Sequence, residues 1–279
     1  MLVRSFAIPL LVAAFSLGPA IGAGATTPAD LAQTLRVGET IEVMQQEGIA
    51  YGADLEAELF PGAGGARWEG IVALIYDRDT MEQRFLQAFT DRMGADDAQM
   101  DAIDAFFSSE RGQRILDLEI EARRALLDES VEEAAQVAVQ EMQADNDPRF
   151  RLLERFAEAN DLIEENVSGA LNANLAFYQG MSEGGAFRGA EMTEEDMLSE
   201  VWSQEADIRA ETVSWLYPYL MLAYEPLSNE DMEAYIEFSE TAAGATMNAA
   251  LFAAYDQLFG AISHDLGRAA AEMLSGQDI

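Results

Sequence analysis

Apolar residues recur at spacings of three and four from Thr27 almost to Leu274, and no run alternates strictly between polar positions and Val, Ile or Thr. That period puts apolar side chains on one helical face, so the pattern predicts an all-α protein. Thr27-Pro28-Ala29-Asp30 opens a helix to about Val37, with Gly38 breaking or bending it. The face through Ile41, Met44 and Leu55 runs to Leu59, and Phe60 to Gly65 ends it. Trp68 to Ile75 and Met81 to Met93 supply the next two apolar faces, the second capped within Asp77 to Thr80. A short helix then carries Met100, Ile103, Phe106 and Phe107, and Ser108-Ser109 forms a corner. One long, unbroken helix is expected from Glu110 to Gln143.

Asp147 and Pro148 cap and open the following helical stretch, Phe150 to Tyr178. Thr193-Glu194-Glu195-Asp196 approximates a capping box ahead of a long helix through Val201, Ile208 and Leu216, kinked at Pro218. Ser228 caps another short helix, Thr241 marks its corner, and Ala249 to Leu274 closes the chain. That last segment is apolar nearly all round between Ala249 and Ala254, so it is expected at the centre of the fold.

The gapless shift that lays Met100 on Met232 also lays Phe106 on Phe238, Gly112 on Gly244, Leu126 on Leu258 and Ala138 on Ala270. Repetition of helix, corner and helix predicts an internal duplication. The expected organisation is a signal peptide over 1–25 and two related multi-helix halves, 26–146 and 147–279, packed as one bundle.

The signal peptide rests on the basic start at Arg4, the apolar run from Phe6 to Phe15, and the small-x-small site Ala23-Gly24-Ala25. Cleavage near Ala25 implies a periplasmic protein. No remaining stretch reaches the roughly 20 apolar residues of a membrane span. The chain has no cysteine, which excludes thiol catalysis and thiolate metal sites. Sixteen basic residues, all arginine, against 51 acidic ones give a net charge of −35. Such a surface repels phosphate backbones and anionic lipid, so no nucleic-acid or membrane-surface role is expected.

No catalytic set emerges. His264 stands between Ser263 and Asp265, but neighbours on a helix point about 100 degrees apart and cannot relay protons as a triad does. One histidine also cannot supply the paired Glu-x-x-His motifs of a di-iron bundle. Asp77, Asp79 and Glu82, or Asp145, Asn146 and Asp147, lack the spacing of a calcium loop and read as helix caps. Gly62, Gly64 and Gly65 read as a turn, not a phosphate cradle, and Asn166-Val167-Ser168 is a sequon inside an expected helix. No metal or cofactor is expected. The most suggestive stretch is aromatic: Trp202, Trp215, Tyr217, Tyr219, Leu222 and Tyr224 form either core or a groove for a partner or hydrophobic ligand.

The corner Phe106-Phe107-Ser108-Ser109-Glu110-Arg111-Gly112, opening a long helix, resembles the bacterial domain-of-unknown-function family numbered 2059. Phe238 to Gly244 and the closing Leu266 to Ala271 are similar to that family too. The resemblance implies export and an all-helical body, and carries over no activity or catalytic residue. The leading expectation is a non-enzymatic periplasmic protein that binds an envelope protein or peptide, as an assembly or chaperone-like factor. The alternative is a carrier of a small hydrophobic molecule or lipid near Trp215 to Tyr224.

Overall fold

The computed structural model describes residues 26–94, 96–187 and 192–276; the expected signal peptide therefore lies outside the described residues. Among these the secondary structure is thirteen α-helices with no strand. The first half runs α1 (Pro28–Thr34), α2 (Val37–Leu59), α3 (Gly65–Ile75), α4 (Arg78–Met93), α5 (Asp97–Phe107), α6 (Glu110–Ala125) and α7 (Glu129–Ala144). The second runs α8 (Pro148–Ala159), α9 (Leu162–Glu183), α10 (Glu194–Ser203), α11 (Glu205–Tyr224), α12 (Asn229–Ser239) and α13 (Ala242–Leu274).

Side-chain caps set most of the starts. Thr27 and Thr193 each make a full capping box with the aspartate three residues on, and Asp77, Asp147 and Ser228 accept first-turn amides. Three breaks differ from the sequence expectation. The first bend falls at Arg36, whose φ of 54° ends α1, rather than at Gly38. The helix expected from Glu110 to Gln143 divides because Asp128 turns its carboxylate onto the Ser130 amide at 2.9 Å and starts α7. The position that the gapless shift aligns with Asp128 is Gly260, which has no capping side chain, and α13 continues unbroken for 33 residues. The third break, at Gln204, separates α10 from α11; α11 itself continues through Pro218.

The two corners share one construction. Ser109 accepts the Gly112 amide at 3.0 Å and donates its hydroxyl to Phe106 O at 2.6 Å. Thr241 accepts the Gly244 amide at 3.0 Å and donates to Phe238 O at 2.7 Å. Both glycines are required by close approach: a Cβ on Gly112 would lie 2.3 Å from Phe106 O, and one on Gly244 would lie 2.2 Å from Phe238 O. The corners also face each other, with Phe106 stacked on Phe238 at a centroid distance of 4.2 Å and Phe107 edge-on at 5.4 Å. Matched geometry predicts matched energetics. Ser109→Ala and Thr241→Ala should each cost about 1 kcal/mol in urea unfolding, and a loss confined to one would show that the corners are not equivalent.

One apolar core crosses the boundary at 146/147, joining Phe85, Phe107 and Leu116 of the first half to Leu220, Tyr235 and Tyr255 of the second. Its axis is α13, which packs along α9 and against α3, α4, α5 and α12. The α9–α13 pair closes through glycine: a Cβ on Gly180 would lie 2.0 Å from His264 O, and one on Gly267 would lie 2.1 Å from Phe177 O. A smaller cluster of Val167, Ala170, Leu171, Val201 and Ile208 joins α9, α10 and α11.

Candidate functional site

On α6, Ile115, Glu119, Ala122 and Arg123 share the buried face, so two charged residues enter the interior. Glu119 is 1% exposed. Its Oε1 accepts hydrogen bonds from the Tyr224 hydroxyl at 2.6 Å and the Tyr235 hydroxyl at 3.2 Å, while Oε2 is buried without a protein partner. Burial pushes the carboxyl well above the usual carboxylate range, against the opposing effect of these two bonds. Burial thus favours the neutral carboxyl, with Oε1 as the oxygen that accepts both phenols. Arg123, one turn on, donates from Nε and Nη2 to Glu47 of α2 at 2.7 and 2.5 Å. Tyr219 and Tyr255 complete the cluster, and burial raises both hydroxyls above the usual phenol range. Phe156 closes it from α8, its ring 5.2 Å from Tyr224 and 4.7 Å from Tyr235.

The residues of the expected groove are distributed among different environments. Tyr219 and Tyr224 lie in the main core, at 4% and 1% exposure. Trp215, Tyr217 and Leu222 are half-buried against that core, Tyr217 with its ring 5.1 Å from Phe150. Trp202 stands apart on α10 and is 65% exposed. Along one stripe of α11, Thr212 Oγ1, Trp215 Nε1 and Tyr219 OH are buried with no hydrogen-bond partner in the protein. Groups in that condition are ordinarily satisfied by ordered interior water.

Beside the Glu119 cluster a cleft of about 490 Å³ opens between the end of α7, the start of α8 and the α11–α12 corner. Its floor is apolar, from Ala138, Met142, Leu153, Met221 and Leu227. Glu141, Asp145, Asp147 and Glu225 stand round it. The one cation lining it among the described residues, Arg149, is turned onto the corner: Nη2 donates to the carbonyls of Tyr224 and, at 3.0 Å, Leu227, and Nη1 donates to Asn229 Oδ1 at 2.7 Å. Tyr224 thus joins the two features, its hydroxyl on Glu119 and its carbonyl on Arg149.

The other chemical candidates resolve into local structure. Asp77 and Asp147 are occupied as caps. Glu56 Oε1 accepts the Gly64 and Gly65 amides, so the glycine turn is closed by the chain's own carboxylate. Asn166 is buried and donates to Leu162 O at 2.6 Å. His264 is half-buried on α13, its Nε2 3.2 Å from Glu183. No group of three or more His, Asp or Glu side chains is placed to hold a metal ion among the described residues, and no described helix is long and apolar enough to cross a membrane.

Sequence reasoning missed Glu119, Arg123 and Arg149. A signal existed for the first two: positions 115, 119, 122 and 126 keep the helical period of an apolar face, and a carboxylate there is out of place. The gapless shift sharpens it, since it aligns Glu119 and Arg123 with Leu251 and Tyr255, both buried.

No curated protein and no solved structure matches the chain. A family model described as "Uncharacterized protein conserved in bacteria (DUF2059)" matches residues 79–141. These include nearly all of α4 and α7 and the whole of α5 and α6; the second corner lies outside them. The region that supplies Glu119 and Arg123 to the core, and Ala138 and Glu141 to the cleft, is the segment that matches DUF2059.

Proposed function

We propose that the chain is an exported, non-enzymatic helical protein that holds a basic, amphipathic segment of another envelope protein or peptide in the cleft between α7, α8 and the α11–α12 corner. The observation that carries this reading is the cleft's composition. Four carboxylate side chains surround an apolar floor, while the guanidinium of Arg149 is already engaged by two backbone carbonyls and Asn229. A cationic side chain at the rim with an apolar neighbour below satisfies both parts of that lining. Export supports it too: the basic, apolar and small-x-small order at the N-terminus is that of a secretory signal.

Calorimetric titration of the full chain with a defined arginine-leucine amphipathic peptide tests the reading. Binding should weaken with added salt and be absent for the peptide's glutamate-substituted analogue. Glu141→Lys with Glu225→Lys, both exposed, should weaken it at least tenfold, about 1.4 kcal/mol, with stability nearly unchanged. Equal binding of the basic and acidic peptides would end the proposal.

The carrier alternative has one observation in its favour: Met221, within the segment from Trp215 to Tyr224, forms part of the cleft floor. In the same titration a neutral amphiphile, bound with no salt dependence while the basic peptide stays unbound, would favour it.

A further inference from the structure

Glu119 occupies a position where an apolar side chain is expected. The register that lays Phe106 on Phe238 aligns it with Leu251, an aliphatic side chain that is 1% exposed. At 119 the fold instead accommodates a carboxyl, and a buried carboxylate without a cation is costly.

The groups around Glu119 come from five helices. Arg123 on its own helix is engaged by Glu47 of α2 through Nε and Nη2, while its Nη1 is buried with no hydrogen-bond partner in the protein. Tyr219 and Tyr224 come from α11, Tyr235 from α12 and Tyr255 from α13, while α8 contributes the ring of Phe156. The tyrosine hydroxyls are all held above the usual phenol range by burial, so they remain protonated through neutral pH. Among the described residues the hydrogen bonds to Glu119 come from phenols and none from a cation, so charge appearing there favours the entry of water.

The partners of Glu119 flank the α11–α12 corner. Tyr224 ends α11, Tyr235 lies in α12, and between them Leu227 and Asn229 form a wall of the cleft, with Met221 one turn before. We propose that Glu119 is a proton-held latch: protonated, it fastens the α11–α12 corner to the core through Tyr224 and Tyr235, and loss of the proton loosens the corner, still clipped by Arg149, and the cleft wall it carries. Its consequence for binding rests on the cleft reading above; the latch itself does not.

The direction follows from linkage. In the closed state the carboxyl keeps its proton well above 4.5, whereas in an opened, hydrated state it titrates in the ordinary carboxylate range. Between those two values opening becomes about tenfold more favourable per pH unit. Hydrogen exchange on the full chain, followed by mass spectrometry and corrected for intrinsic exchange, reads this directly. In the wild type, protection of the α11–α12 corner should fall about tenfold per unit as pH rises from the ordinary carboxylate range towards the raised folded value, and level off above it. Glu119→Gln keeps an acceptor for both phenols and should be flat. Tyr235→Phe, which keeps the carboxyl, should retain the slope and so guards against a folding artefact in the first variant. A flat wild-type profile, or a slope unchanged in Glu119→Gln, would overturn the latch.

The arginine-leucine peptide supplies the second readout, with Glu119→Gln cancelling titration of the rim acids. Wild-type affinity that changes with pH where the variant's does not supports control of the cleft; equal pH profiles overturn that control. A peptide bound by neither protein at any pH defeats the cleft reading, while the exchange slope still decides the latch.

Discussion

Gly180→Ala is expected to unfold the protein or keep it out of the soluble fraction. The added carbon would sit 2.0 Å from the carbonyl oxygen of His264 and 2.9 Å from the amide nitrogen of Arg268, both backbone atoms of α13. Neither can swing aside as a side chain does, so α9 and α13 must separate along their shared face. Overpacking ordinarily costs about 1–3 kcal/mol, and a clash with backbone at the central helix pair should exceed about 4 kcal/mol. Gly260→Ala is the control. Gly260 lies inside α13 with nothing within 4 Å of a built Cβ, so the intrinsic preference of helices for alanine should stabilise that variant by about 0.5–1 kcal/mol. Urea melts of the two variants should move in opposite directions. A common direction would mean that close approach of the helices is not what glycine supplies at 180.

Glu119→Ala should be the other severe change, at about 3–5 kcal/mol. It strands the hydroxyls of Tyr224 and Tyr235, which have Glu119 as their hydrogen-bond acceptor, and opens a cavity against Phe156 and its neighbours. The loss also has a pH signature. A carboxyl whose folded pKa is raised contributes its full stability below the unfolded value of 4.5, and that contribution declines as pH rises through the window up to the folded value. The stability gap between wild type and Glu119→Ala should therefore be widest near pH 4.5 and narrow above it, while the gap between Glu119→Gln and Glu119→Ala stays constant. Parallel denaturation series at several pH values measure both gaps. A wild-type gap that widened with pH would show that the carboxyl is held in its charged form.

The helices and most of their starts were legible because caps are local chemistry. Thr27, Asp147, Thr193, Ser228 and Thr241 each bond an amide two or three residues ahead, and that spacing stands in the sequence. The break at Asp128 was hidden for the opposite reason: apolar periodicity runs past it, and only the carboxylate's turn onto Ser130 divides α6 from α7. Arg36 adopts a left-handed conformation while its guanidinium reaches Asp117, 81 residues away, a contact no local pattern encodes. The cleft was equally illegible. Its lining comes from α7, α8 and the α11–α12 corner with their connections, and the aromatic stretch that drew attention lends it only Met221. Aromatic density marked the core around Tyr219 and Tyr224, whereas the cleft depends on which helix ends meet.

The central place of α13 also couples distant parts of the chain. The helix against which α3, α4, α5, α9 and α12 pack is one continuous element of 33 residues. Helices far apart in the sequence therefore share a single partner, and any local opening of α13 loosens both sides of the 146/147 boundary together.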